Sequence, residues 1–522
     1  MRLYPQEQEG FLLSERAVRL RRHRKEGQID RRPIPLVLLD KLRKLHTLVC
    51  GATRSGKTRV LMADVVRAIF KGWNTIVLDP KGDQFMFAAM VEAALESRRL
   101  KDLMLIDLAD PEISIGFNPF SDYFHLQEIA EHLVAAIKQG KEPFFREQAY
   151  KTALFALQTH DYLERKAGRG PQRYTVSTLQ EICSYDWIKK HIEVLENVSA
   201  VDPEARNLLL LGRSLSELDR RKFEEVVSSL SNVLVRVGEG VVREIIEDPR
   251  PNPVFERLWN DQGVILYVFT GAMVTQEGAE MLSRLILSSL RSFVGRVYRF
   301  KGGENASPEE RKLGRPLLLV VDEAQNAIFP GFELFLDKAG GVNCYFTLAV
   351  QTPANFVEAL GETLARVVLG NLGLQIFLRS PDPVFTGRYV AAKAGTEISP
   401  ETFLFLGRDG GTLKEKRVDV LDPGAVERLR PRQFIALVPK DENSAPEPFT
   451  GDVRFVPDPS VEIVGFKSLE EALARRRSIK ERVGRFLGRR NSLTSNVPSV
   501  DPEILAGVPS SENARTTSAV SG

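Results

Sequence analysis

Residues 51–58 read GATRSGKT, follow the apolar run Thr47-Leu48-Val49-Cys50 and lead into RVLMADVVRAIF. Strand, glycine loop and helix are therefore written consecutively, which is the context a P-loop requires. In such a loop the glycines let backbone N–H groups close around phosphate oxygens, Lys57 reaches the β/γ-phosphates and the Thr58 hydroxyl binds Mg²⁺. Gly51, Ala52, Thr53, Arg54, Ser55, Gly56, Lys57 and Thr58 are the nucleotide-binding candidates. A glycine turn that happens to carry Lys and Thr accounts for neither flank. A chain with this segment is constrained to an α/β fold and is expected to bind a nucleoside triphosphate.

At 522 residues with 43% hydrophobic content, the chain is expected to build at least two packed domains. Its formal charge is only +3, yet arginines gather near both ends, in RAVRLRRHRKEGQIDRR and RRRSIKERVGRFLGRR. Such clusters suit nucleic acid or anionic lipid, and equally a solvated helix face. Cys50, Cys183 and Cys344 show no paired spacing, which fits a reducing cytosolic compartment. No apolar run approaches the roughly 20 residues of a membrane helix, and the start lacks the apolar stretch of a signal peptide. The expectation is a cytoplasmic chain with at most peripheral membrane association.

Short apolar runs recur at 75–79, 103–107, 264–269, 316–323, 345–350 and 374–378. Continuous apolar strands bounded by helices predict a parallel sheet covered on both faces. From Phe120 to Arg257 the pattern turns helical, so an all-α insertion interrupts the α/β core. The expected organisation is a basic segment at 1–35, a first core part at 36–120, the mostly helical insertion at 121–257 and a second core part at 258–465. A basic amphipathic helix at 466–490 and a disordered tail at 491–522 follow.

After the strand PLLLVV stand Asp322 and Glu323. At the C-terminal end of a buried strand, Asp322 is placed to hold Mg²⁺ through water and Glu323 to activate the attacking water, since phosphoryl transfer needs an oriented nucleophile and neutralised phosphates. Gln351 ends the next strand, where an amide can report the γ-phosphate; the plainer role is a polar strand terminator. Asp79, Lys81 and Asp83 in VLDPKGDQ offer supporting groups at the sheet edge. The same four-residue Pro-Lys-Gly-Asp sequence is also good turn chemistry.

The ordered set HTLVCGATRSGKTR, VLDPKGDQ, DPEISIGFNPF, FFREQAYKTALFAL, LLLVVDEAQ, AVQTPANF and LGNLGLQIFLRSPDP resembles the TraD/TraG coupling proteins of type IV secretion, in particular their TraD branch, from about His46 to Val438. The resemblance implies a RecA-like P-loop core of the FtsK/HerA-like superfamily with an inserted all-helical domain, assembled as a ring, typically a hexamer. It further implies an ATP hydrolase with ATP and Mg²⁺ that moves DNA, single strands more than duplex, and delivers relaxase-bound DNA to a secretion channel. Carried over by motif, Lys57, Glu323 and Gln351 are catalytic and Asp322 is the metal residue.

The resemblance departs at two places. Family members usually begin with transmembrane helices, whereas here the P-loop follows only 50 residues with none. Anchoring at the inner membrane is then expected to come through a partner. The family's Lys-Gly-Arg tract reads LDKAGGVN at 336–343, without arginine. Lys338, Arg366, Arg379 and Arg388 are the candidates for a cation acting on a neighbouring subunit's nucleotide. Two alternatives stay open: a motor for double-stranded DNA, and a nucleotide-gated docking platform for secreted substrates.

Overall fold

The computed structural model describes residues 9–20, 33–138, 143–271, 276–303, 305–307, 309–404, 411–454 and 458–459. The expected amphipathic helix at 466–490, the tail at 491–522 and most of the first arginine cluster lie outside the described residues. The chain is α/β. In chain order the first strands are β1 (Gly10–Arg19), β2 (Ile34–Leu39), β3 (Thr47–Cys50), β4 (Asn74–Asp79), β5 (Leu103–Asp107) and β6 (Ile265–Phe269). Then come β7 (Leu317–Val321), β8 (Cys344–Val350), β9 (Leu374–Leu378), β10 (Thr396–Leu404), β11 (Gly411–Asp419), β12 (Gln433–Val438) and β13 (Glu447–Asp452). They divide between two compact units, one drawn from the described residues of 1–71, 316–325 and 333–454, the other from those of 72–315 and 326–332.

In the first unit the strands run in the order β2-β1-β13-β12-β9-β3-β8-β7. β9, β3, β8 and β7 are mutually parallel, with Cys50 beside both Val350 and Phe377 and Val321 beside Leu348. These are the apolar runs whose continuity predicts burial on both faces, and β3, β7 and β9 are buried along their whole length. β12 then pairs antiparallel with β9 and continues into β13, β1 and β2. Part of the expected basic N-terminal segment is thus a strand: Phe11, Leu12, Leu13 and Ala17 of β1 are buried. Glu15, Arg16 and Arg19, which break up its apolar residues, disguise it in the sequence. β10 and β11 pair only with each other, from Thr396 opposite Asp419 to Leu404 opposite Gly411.

The P-loop helix Lys57–Phe70 is fixed to this sheet by a buried polar network. Arg43 is fully buried and donates to Asp64 Oδ2 at 2.5 Å and to the hydroxyls of Thr47 and Thr347, each at 3.1 Å. Thr347 donates to the same Asp64 oxygen at 2.9 Å. A charge taken out of water needs partners for its remaining protons, and here helix, β3 and β8 each supply one.

In the second unit β4 and β5 flank β6 in parallel. Asn74 joins the strand starts by accepting from the Val264 N–H at 2.9 Å. Among the described residues, all α-helices between β5 and β6 lie from Leu126 to Trp259, with no strand between them. Phe155, Ile188, Leu195, Leu208, Leu215 and Phe223 pack four of these helices around one apolar cluster.

Candidate nucleotide site

Four parallel strand ends in the first unit carry the expected residues. β3 opens into the P-loop, β7 ends before Asp322, β8 before Gln351 and β9 before Arg379. The loop is held from both sides: Gly51 donates its N–H to Val350 O at 3.2 Å, and Ala52 to Arg379 O at 2.9 Å. A Cβ at Gly51 would lie 2.5 Å from Ser55 Oγ and 2.8 Å from Leu378 Cβ, so only glycine fits between loop and strand. Gly56, at φ +109°, takes a backbone conformation that side chains rarely adopt, just before the helix begins. Among the described residues, the backbone N–H groups of Thr53, Arg54, Gly56, Lys57 and Thr58 meet no protein acceptor.

Lys57 is buried, and its Nζ has no hydrogen-bond partner but stands 3.5 Å from Asp322 Oδ1. The same Asp322 oxygen accepts the Glu323 N–H at 2.9 Å. That bond accompanies an uncommon positive φ of 46° at Glu323, which turns the chain at the strand end. An ammonium group with an unfilled donor set, free loop N–H groups and hard oxygens from Thr58 and Asp322 fit a nucleotide with Mg²⁺. Among the described residues no group of three or more His, Cys, Asp or Glu is arranged to hold a metal, so a Mg²⁺ here relies on nucleotide phosphates and water for most of its ligands. Burial pushes the Cys50 thiol well above its usual range, with Lys57 opposing, so the cysteine beside the loop is inert packing.

Gln351 is exposed at the end of β8. Its neighbour Thr352 is half-buried and donates to Asp382 Oδ2 at 3.1 Å. Of the cation candidates, Lys338 pairs with adjacent Asp337 at 2.7 Å and Arg366 with Glu362 at 2.5 Å. Arg379 and Arg388 are exposed, and the Arg379 backbone is bonded to its own chain's P-loop. Arg432 has no signal in the sequence, because only the folded sheet brings it here. Its N–H donates to Ser55 O at 2.9 Å, and its Cγ lies 3.2 Å from where a Gly56 Cβ would stand.

Asp79, Lys81 and Asp83 belong to the second unit. The Asp79 carboxylate accepts from the N–H groups of Lys81, Gly82 and Asp83 at 2.9, 3.1 and 2.7 Å, and from the Tyr267 hydroxyl at 2.9 Å. Asp83 in turn caps the helix Gln84–Glu96 by accepting from Phe85 and Met86. Burial, then the Asp79 charge, raises the Tyr267 hydroxyl far above its ordinary pKa. These carboxylates build the loop.

Among the described residues no helix is long and apolar enough to cross a membrane. Residues 316–429 match the family described as the TraM recognition site of TraD and TraG. No curated protein matches the chain by sequence. Among solved structures, the unbound monoclinic form of the bacterial conjugative coupling protein TrwBdeltaN70 is similar at 16% identity and a TM-score of 0.54, over 86% of this chain and 92% of that one. TrwB with the non-hydrolysable GTP analogue GDPNP gives 15% and 0.56, over 87% and 97%. TrwB with ADP and Mg²⁺ gives 16% and 0.54 over the same shares. At these identities the structures establish a shared fold, and the sequence match places residues 316–429 in the family of the TraM recognition site of TraD and TraG.

Proposed function

We propose that the chain is an ATP-driven DNA translocase that couples relaxase-bound DNA to a type IV secretion channel. The observation that carries this is the buried Lys57 ammonium facing Asp322 beside a loop in which, among the described residues, the N–H groups of Thr53, Arg54, Gly56, Lys57 and Thr58 meet no protein acceptor. In this reading the loop N–H groups and Lys57 bind the phosphates, and Thr58 and Asp322 hold Mg²⁺. The metal, when bound, neutralises phosphate charge. Glu323 takes the proton of the attacking water, and Gln351 orients that water or the terminal phosphate. Residues 121–257 act as an inserted helical domain of the motor, and copies of the chain assemble as a ring, with six the expected number.

The TrwB complexes with ADP and Mg²⁺ and with GTP and ATP analogues support nucleotide binding in this fold. The match to a TraM recognition site supports a relaxosome protein as a partner. DNA contacts are expected to go mainly to phosphates, with strong salt dependence and little sequence preference.

The test is steady-state ATP hydrolysis with and without single-stranded and duplex DNA, beside a Lys57→Ala control. Stimulation by single strands above duplex is the expected result. Bound nucleotide without turnover under any condition would overturn the motor and leave the docking platform.

A further inference from the structure

The segment after β9 reads Ser380-Pro381-Asp382-Pro383, and its aspartate has no part in the chemistry proposed above. Asp382 organises the π-helical turn Pro383–Gly387, accepting from Phe385 N–H at 2.9 Å through Oδ1 and from Thr386 N–H at 3.1 Å through Oδ2. Oδ2 also accepts the hydroxyls of Thr352 at 3.1 Å and Thr386 at 3.0 Å, and these two hydroxyl oxygens stand 2.9 Å apart. Two hydroxyl protons thus serve a triangle of three oxygens, an arrangement that suits an ionised carboxylate. Burial raises the Asp382 pKa, but the hydrogen bonds outweigh it and hold the carboxyl below its usual range.

The triangle sits where the nucleotide site ends. Val350 O holds the P-loop through Gly51, and Thr352 holds Asp382, so Gln351 alone separates a P-loop contact from a turn contact. The segment of Asp382 is tied to the loop a second time, through Arg379 O and Ala52 N–H. On its far side the turn displays Val384 at 66% exposure and runs into the helix Arg388–Ala394 and the hairpin β10–β11. The base of that hairpin is tied to the same segment: Val420 donates to Gly395 O at 3.0 Å, and Gly387 packs so closely on Pro423 that a Cβ would meet its carbonyl at 2.0 Å. Nine paired residues at about 3.4 Å each make the hairpin an arm on the order of 30 Å long. A small rotation of the turn is enlarged along such an arm. π-helical turns are rare and recur at functional sites.

We propose that Thr352, Asp382 and Thr386 form a relay that positions Gln351 and carries the occupancy of the nucleotide site to the turn Pro383–Gly387 and the hairpin behind it. Thr352 and Asp382 are positioning residues in this scheme, which rests on the ATPase reading. When Gln351 engages the terminal phosphate, Thr352 moves with it, and the hydroxyl drags or releases the carboxylate that holds the turn.

The experiment is hydrogen exchange of the full chain, followed in peptides spanning 380–395, with and without a non-hydrolysable ATP analogue and Mg²⁺. It compares wild type, Thr352→Val and Thr352→Ser, with nucleotide affinity measured separately by calorimetry. Valine keeps the β-branched shape and removes only the hydroxyl. Wild type is expected to change its exchange in these peptides on binding. Thr352→Val should bind within about twofold of wild type, lose that response and lower kcat about tenfold at unchanged KM, as expected for one charge-assisted hydrogen bond. Thr352→Ser should restore both. A Thr352→Val protein that binds nucleotide and responds in 380–395 as wild type does would overturn the relay alone. Wild type that binds no nucleotide in calorimetry would overturn the ATPase reading and the relay together.

Discussion

Asp322 Oδ1 stands 3.5 Å from Lys57 Nζ, with the two side chains only 12% and 7% exposed, so the carboxylate balances the P-loop charge. Removing one partner of such a pair leaves an uncompensated buried charge, whose cost is about 1–3 kcal/mol at this loose separation. Asp322→Asn should therefore lower the melting temperature. Metal-free ADP brings phosphate charge to Lys57, so it should raise the melting temperature of Asp322→Asn by more than it raises that of wild type. Thermal shift assays with and without EDTA measure both effects. Equal shifts in the two proteins would show that Lys57 is not the phosphate contact.

Glu323 follows directly on Asp322, and its position is set by the Asp322 side chain that accepts its N–H at 2.9 Å. Glu323→Gln keeps the size and the backbone contact and removes the carboxylate proposed as the base. Turnover is expected to fall about 10²–10⁴-fold with nucleotide affinity retained. Single-turnover hydrolysis alongside equilibrium binding separates the two. A variant with wild-type turnover would remove Glu323 from the mechanism.

The Arg43–Asp64 pair carries no chemistry, yet it ties the P-loop helix to β3 and β8. Asp64→Ala strands a fully buried guanidinium and is expected to cost about 3–5 kcal/mol. The Arg43→Met, Asp64→Leu double variant should recover most of that loss, because it removes both charges and fills the space. Urea denaturation of the three proteins provides the comparison. A single variant as stable as wild type would show that the pair contributes no stability.

Sequence and structure agree most closely where local pattern and burial coincide. β3, the loop and the helix from Lys57 are written consecutively, and β4 to β9 are continuous apolar runs because both faces of each are covered. β1 escapes such a reading because Arg16 and Arg19 interrupt its apolar residues, and it pairs with β13 from the far end of the chain. Arg432 is silent for a similar reason: its contact with Ser55 exists only because β12 lies beside β9 and β9 beside β3. The Asp79 loop is legible as a turn. What the sequence hides there is Tyr267, whose hydroxyl occupies a carboxylate that otherwise looks available to a ligand.

His46 provides a test of the packing below the P-loop. Its Nδ1 accepts the Phe346 N–H at 3.1 Å and its Nε2 donates to Leu336 O at 2.7 Å, which fixes the neutral tautomer. Burial, reinforced by the nearby Arg43 charge and opposed by the Leu336 carbonyl, lowers its pKa to about 4. In the unfolded chain the ring titrates near 6.5, so between about pH 6.5 and 4 the unfolded state holds more protons than the folded one. Stability is therefore complete above about pH 6.5 and falls as the pH drops toward 4, by about 3 kcal/mol in total from this residue. His132, lowered to about 3 mainly by burial, adds a second loss of the same sign that extends further into acid. His46→Gln removes the first titration, so its stability, though lower at pH 7, should decline less steeply between pH 6.5 and 4. Denaturation midpoints across this range decide the matter, and parallel pH profiles for the two proteins would show that His46 is not held neutral in the fold.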